Sequence, residues 1–228
     1  METIQKNDII EVIFSAYANG VLFDSNISED LKTIHPEAKP EPLIVVVSQG
    51  MVVPGLDKAL EGKEVGKSYE IPVNIKEGFG ERRKEMMRTL PLKVFEAQKI
   101  QPYPGQTLVM DGALAKVIAV SGARVMTDFN SPLAGKDLLY KITITKKITD
   151  EKEKCTQVFK ILLKTVPEFE LGEKITLKGP KQLEIIVQAF STKFKEIIGK
   201  ELAFELKEEV KVEKKEETKE TPLSSTTA

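Results

Sequence analysis

The chain has 228 residues, 41% of them apolar, with 34 basic and 35 acidic side chains that leave a formal charge of −1. That is enough apolar material for one large domain or two to three small ones, it excludes a disordered protein, and the balanced charge leaves no electrostatic footprint for nucleic acid. One cysteine, Cys155, and one histidine, His35, exclude an intramolecular disulfide, argue against a thiolate metal site and remove most nucleophilic triads.

The amino-terminal METIQKNDII lacks a basic region followed by an apolar run, and no stretch reaches the roughly 18 apolar residues of a membrane span. A cytoplasmic protein without a membrane partner is therefore expected. Residues 8–15, DIIEVIFS, read as a strand with Ile10, Val12 and Phe14 on one face. Asn19 and Gly20 turn the chain back into a second strand, VLF at 21–23, which delivers Asp24. A long loop with Pro36, Pro40 and Pro42 follows; it holds His35 and makes that residue a poor catalytic candidate. LIVVV at 43–47 reads as a buried strand, and residues 52–62 as a short helix with Pro54 near its start and Gly62 as its end cap. Tyr69, Ile71 and Val73 alternate as a half-buried strand, in which Pro72 points to an edge or a bulge.

Between residues 84 and 128 the character changes. A helical turn around Leu92–Ala97 precedes three β-prone runs, TLVM, ALAKVIAV and ARVMTDF, joined by Asp111-Gly112 and Ser121-Gly122, which suit two-residue hairpin turns. LAGKDLLYKITITKK then returns as a long strand with Leu138, Tyr140, Ile142 and Ile144 on one face. From Asp150 an apolar helical stripe runs through Cys155, Val158, Phe159, Leu162, Leu163 and Val166. ITLKGPKQLEIIV reads as a hairpin; Phe190, Phe194, Ile197 and Ile198 form a second helical stripe closed by Gly199; Leu202, Phe204 and Leu206 alternate as a strand. KKEETKETPLSSTTA is a polar tail expected to be disordered.

Three distant stretches, NGVLFDS at 19–25, EGFGE at 77–81 and LAGKDLLYKI at 133–142, make sense together if they meet in space, where they bring one carboxylate and several aromatic residues to a dry pocket in a small β domain split by an insertion. With no glycine-rich phosphate loop, nucleotide chemistry is disfavoured. An enzyme built from these residues works without a nucleophile, a metal or a cofactor.

GVLFDS at 20–25, EPLIVVVSQGMVVPGLDKALEGKEVG at 41–66, EIPVNIKEGFG at 70–80 and NSPLAGKDLLY at 130–140 carry a resemblance. On them, residues 1–149 resemble an FKBP-type peptidyl-prolyl cis-trans isomerase of the SlyD-like, insert-containing kind, and the whole chain resembles the long archaeal FKBPs. The resemblance implies an α+β fold: a twisted antiparallel sheet wrapped on a short helix, an inserted small all-β domain and a C-terminal α+β domain. The expected organisation is 1–83 plus 129–149 for the isomerase domain, 84–128 for the insert, 150–212 for the C-terminal domain and 213–228 for the tail. Asp24, Tyr140 and Phe79 are the implied catalytic residues, and Phe14, Phe23, Leu43, Val45, Val52, Val53 and Leu56 the implied substrate-binding wall, with Leu56 on the floor where the family often has tryptophan. Phe14 and Phe79 stand where the family often has tyrosine, which leaves the pocket greasier. The family's histidine-rich metal-binding tail is absent, so no metal is implied.

Four of the six methionines lie in the insert. Met87, Leu90, Phe95, Tyr103, Met110 and Met126 are therefore expected to bind unfolded clients, since flexible thioethers suit a site that accepts many sequences. The implied partners are unfolded or partly folded polypeptides with X-Pro bonds, with macrolides of the FK506 type as candidate ligands and a homodimer through the C-terminal domain as a further expectation. The alternative function is a holdase or interaction scaffold with a vestigial prolyl pocket.

Overall fold

The structure, a computed structural model, describes residues 2–206. The tail expected over 213–228, and the last residues of the 150–212 segment, lie outside them. Compact packing divides the chain into two units, with the division between Gln157 and Val158.

The first unit is organised around β1 (Ile9–Ala18), which pairs antiparallel with a long partner, β9 (Leu138–Ile148), from Ile9↔Ile148 to Ala18↔Leu138. Its other edge is shared. Ile9–Val12 pair with β3 (Leu43–Val46), and Ser15–Ala18 pair with β2 (Val21–Ser25). At the gap the side chain of Asn26 takes the place of a strand: the Phe14 N–H donates to its Oδ1 at 2.7 Å, and its Nδ2 donates to the Val12 carbonyl at 2.9 Å and the Glu41 carbonyl at 3.1 Å. Backbone groups that would otherwise stay unpaired are satisfied there. β4 (Ser68–Val73) completes the sheet on the far side of β9, an edge position that tolerates Pro72.

α1 (Ser28–Ile34), with Leu31 buried, occupies the segment expected to be an irregular loop. Its apolar Ile27, Leu31 and Ile34 recur at helical spacing, a signal masked by the three prolines that follow. α2 (Pro54–Leu60) begins on Pro54, and Gly62, with φ of 79°, follows its end. Leu56 and Leu60 of α2 pack into the core with Val12, Ile71, Val73, Leu138, Tyr140, Ile142 and Ile144. The sheet thus folds about a short helix.

A four-stranded antiparallel sheet, ordered β5-β8-β7-β6, lies between β4 and β9 in the chain: β5 (Met87–Pro91), β6 (Thr107–Met110), β7 (Ala113–Ser121) and β8 (Arg124–Asp128), with α3 (Leu92–Ala97) between β5 and β6. Phe95 of α3 is wholly buried against Met110, Ala115, Val117 and Val125. Asp111 and Gly112, both at positive φ, close the first hairpin as expected of that pair. The second turn is Gly122-Ala123, one residue later than Ser121-Gly122, because Ser121 is still paired with Arg124 and only Gly122 takes positive φ. β5 was not anticipated: MRTLP ends in proline and runs along an edge, where alternation is weak.

α4 (Glu151–Leu163) starts where Asp150 Oδ1 accepts the Glu153 N–H at 2.8 Å, and it carries the fully buried Cys155. In the second unit β10 (Glu168–Leu171) and β11 (Ile175–Gly179) are antiparallel, while β12 (Leu202–Leu206) joins β11 in parallel. A parallel pair needs a crossover, which α5 (Leu183–Ile198) supplies. LEIIV is therefore the first turn of α5 and not the second arm of a hairpin. Leu183, Ile186, Val187, Phe190 and Phe194 share helical spacing, and the Phe194 ring packs tilted against Phe159 at 4.6 Å between ring centres. Among the described residues no helix is long and apolar enough to cross a membrane.

Candidate functional site

A cavity of about 470 Å³ opens where β1 changes partners. Phe14 and Val12 reach it from β1, Asp24 from β2, Leu43 and Val45 from β3, Val52, Val53 and Leu56 from the turn into α2, Phe79 from the loop after β4, and Tyr140 from β9. The three stretches at 19–25, 77–81 and 133–142 do converge. Phe23 does not line the hollow itself. It stands between two residues that do, its ring edge-on to Phe79 at 6.5 Å and to Tyr140 at 6.4 Å, a geometry that favours contact between aromatic quadrupoles.

Polar side chains hold this wall by gripping backbone. Asp57, buried on α2, accepts the N–H groups of Ser48 and Gly50, each at 2.8 Å. It thereby fixes the turn in which Ser48 and Gly50 adopt positive φ and from which Met51, Val52 and Val53 enter the cavity. A second loop carries Phe79. Asn74 accepts the Glu77 N–H at 3.0 Å, Lys58 of α2 pairs with Glu77 at 3.0 Å, and the Gly80 N–H closes on the Ile75 carbonyl at 2.9 Å. Phe79 stands at the mouth, 41% exposed. Met51, Asp57 and Asn26 were missed by sequence reasoning; Asp57 and Asn26 act on backbone of remote segments, which no local pattern encodes.

Of the tyrosines on β1 and β9, Tyr17 and Tyr140, one shares the hollow with Asp24 and the other does not. Tyr17 faces away and packs under the Lys141 ammonium at 5.8 Å. Tyr140 is 7% exposed and lines the same hollow as Asp24. Burial, with the Asp24 charge as the second cause, pushes the Tyr140 phenol up to about 12. No hydrogen bond joins the two groups among the described residues, so Tyr140 presents a neutral O–H donor to the cavity.

The insert sorts its candidates by face. Phe95 and Met110 are core residues, not surface ones, because α3 covers one side of the sheet, and Leu90 is half-buried against the same core. Met87, Tyr103 and Met126 are exposed. Val109, Leu114 and Ile118, not singled out by the sequence, are exposed on the opposite side of the strands that carry Met110, Ala115 and Val117. Each of these strands has apolar residues on both faces, so the covered face was not readable from alternation.

The FKBP-type peptidyl-prolyl cis-trans isomerase family matches residues 1–109, and the FKBP26, IF domain family matches residues 88–133. A short-type peptidyl-prolyl cis-trans isomerase of Methanocaldococcus jannaschii is 30% identical over 144 residues, covering 62% of this chain and 92% of that protein. The FKBP-type peptidyl-prolyl cis-trans isomerase SlyD of Helicobacter pylori is 26% identical, covering 67% of this chain and 79% of its own, and SlyD of Haemophilus influenzae is 29% identical, covering 62% and 70%. Aromatic cavity, split sheet and kinship agree: the chain belongs to the FKBP-type peptidyl-prolyl cis-trans isomerases, enzymes that interconvert the cis and trans forms of peptidyl-prolyl bonds.

Proposed function

We propose that the cavity under Phe79 and Tyr140 is the prolyl site, and that the insert is a chaperone arm which holds unfolded chains beside it. The observation that supports the first part most is the combination of a largely apolar hollow with one carboxylate and one unpartnered neutral phenol, Asp24 and Tyr140. X-Pro isomers exchange over tens to hundreds of seconds unaided, because the barrier of roughly 18–20 kcal/mol is amide resonance. The planar amide carries separated charge that water stabilises, and the twisted form carries less, so a dry pocket favours the twist. Phe79, Leu56 and Tyr140 enclose the proline ring, and Phe23 supports the two aromatic walls edge-on. As nitrogen donation is lost the carbonyl carbon becomes more positive, and the Asp24 carboxylate stabilises it. Tyr140 donates to the amide from its neutral hydroxyl.

Asp24→Ala is expected to lower kcat on a short proline peptide by about 10- to 100-fold with a small change in KM, the size of an interaction with a charged group. Protease-coupled or NMR exchange rates check this; unchanged turnover removes Asp24 from the mechanism.

The arm is supported by the exposed apolar side chains Val109, Leu114, Ile118 and Met126 on one side of the insert sheet, with Met87 and Tyr103 of the same insert also exposed. Such a surface would raise the local concentration of client prolines. Deleting 84–128 should leave short-peptide turnover in place and abolish acceleration of proline-limited refolding; loss of both would favour a holdase whose pocket is vestigial. The proposed organisation is in three parts, 1–83 plus 129–149, 84–128 and 150–212, a reading supported by three separate sheets among the described residues. Macrolide binding belongs to the same pocket. Self-association through the C-terminal unit, which exposes Leu171, Ile185 and Leu206, is tested by sedimentation equilibrium.

A further inference from the structure

We propose that the prolyl cavity continues past Phe79 as a trough across the junction with the insert, and that this trough selects clients with an acidic side chain several residues from the proline. The inference rests on the reading of the cavity as the prolyl site. Phe79 lines both that cavity and a second hollow of about 200 Å³. Asn130, Ser131 and Ala134 line this second hollow and also a third, of about 310 Å³. The third reaches the exposed side of the insert sheet at Leu114 and Ile118. Shared lining residues set the three hollows side by side, the second between the other two. Arg82, on the wall of the third, is three residues from Phe79, so their Cα atoms are at most about 11 Å apart. An extended client, rising about 3.3 Å per residue, places its third to sixth residue from the proline there.

The charge in the third hollow is one-sided. Arg82, Lys116 and Lys136 face a single carboxylate, Asp128. Asp128 is buried and already engaged: it pairs with Arg82, accepts the Asn130 N–H at 2.9 Å and accepts the Asn130 side-chain amide at 2.6 Å. Among the described residues neither Lys116 nor Lys136 has a carboxylate within ion-pair distance. Two uncompensated ammonium groups in a concave wall favour a client carboxylate and repel a client lysine or arginine. Leu114 and Ile118 give the neighbouring client residue an apolar seat.

The test uses the full chain and pairs of twelve-residue peptides with one proline, identical except for Glu or Lys at the third to sixth position on either side. On one side of the proline, the Glu peptide is expected to show about three- to tenfold higher kcat/KM, carried by KM. That ratio should shrink toward one in 1 M salt, where the screening length falls to about 3 Å. In the variant Lys116→Gln combined with Lys136→Glu the ratio should vanish or invert, with circular dichroism and a four-residue proline peptide reporting fold and pocket. Equal efficiencies in the wild type, or a preference that survives the double variant, overturn the proposal. If wild-type protein fails to turn over the four-residue peptide, the prolyl reading fails. The Glu-to-Lys ratio is then read by fluorescence anisotropy: its presence supports the trough, and its absence overturns it.

Discussion

Tyr140 and Asp24 share a cavity without bonding to each other, and that spacing sets how the site responds to pH. The phenol is raised by burial and then by the Asp24 charge to about 12, against an ordinary value near 10. Folding therefore holds this proton more tightly than the unfolded chain does. The stability it contributes is complete below about pH 10 and is lost as pH rises through about 12. Turnover that depends on the Tyr140 donor should stay flat past the ordinary phenol range and fall as pH nears about 12, and Tyr140→Phe should lose that alkaline limb; an unaltered limb in the variant would assign it elsewhere. A second residue, Asn26, is tested by removal. Asn26→Ala leaves the Phe14 N–H and the Val12 carbonyl unpaired beside the cavity. A loss of about 1–3 kcal/mol in urea unfolding is expected. Much of the wall was legible in the sequence because Asp24, Leu43, Leu56, Phe79 and Tyr140 sit in stretches whose order and residue types resemble a known family. Asn26 and Asp57 were not, since an amide or carboxylate that bonds to distant backbone looks in sequence like any turn residue.

At the level of elements, the seat of α2 on β4 depends on a missing side chain. A Cβ on Gly55 would lie 2.8 Å from Val73 Cγ1 and 3.1 Å from Glu77 Cβ. In an open helix, alanine is better than glycine by roughly 0.5–1 kcal/mol. Here the clash wins: Gly55→Ala should destabilise by about 1–3 kcal/mol and shift Leu56 in the cavity floor, read from the urea midpoint together with a higher KM. A midpoint that rises would mean the helix has room to move. Strands with strong alternation, β1 and β9, were legible, as were α2 and α3. α5 was legible only from Phe190 onward. Its first turn, LEIIV, is as β-branched as a strand, and only the parallel pairing of β11 with β12 makes it helical. Length and connectivity decided where local preference was ambiguous.

Across the whole molecule, the insert has its own apolar centre around Phe95, distinct from the one beneath the prolyl cavity. Phe95→Ala removes the largest side chain of that small core, and a cost of about 3–5 kcal/mol is expected to melt the insert. Short-peptide turnover should survive while protein clients are lost, and two-dimensional NMR should show insert resonances collapsing with those of β1 and β9 in place. Loss of all dispersed resonances would instead make the two cores one folding unit. Cys155 offers a different view of the same molecule. It is the chain's only thiol, and it is completely buried near the start of the helix in which the two units divide. A disulfide reagent can reach it only when the packing that covers it opens. The protein thus carries a built-in clock: the rate at which the reagent consumes this single thiol times the local openings that expose it, with no other cysteine to blur the record.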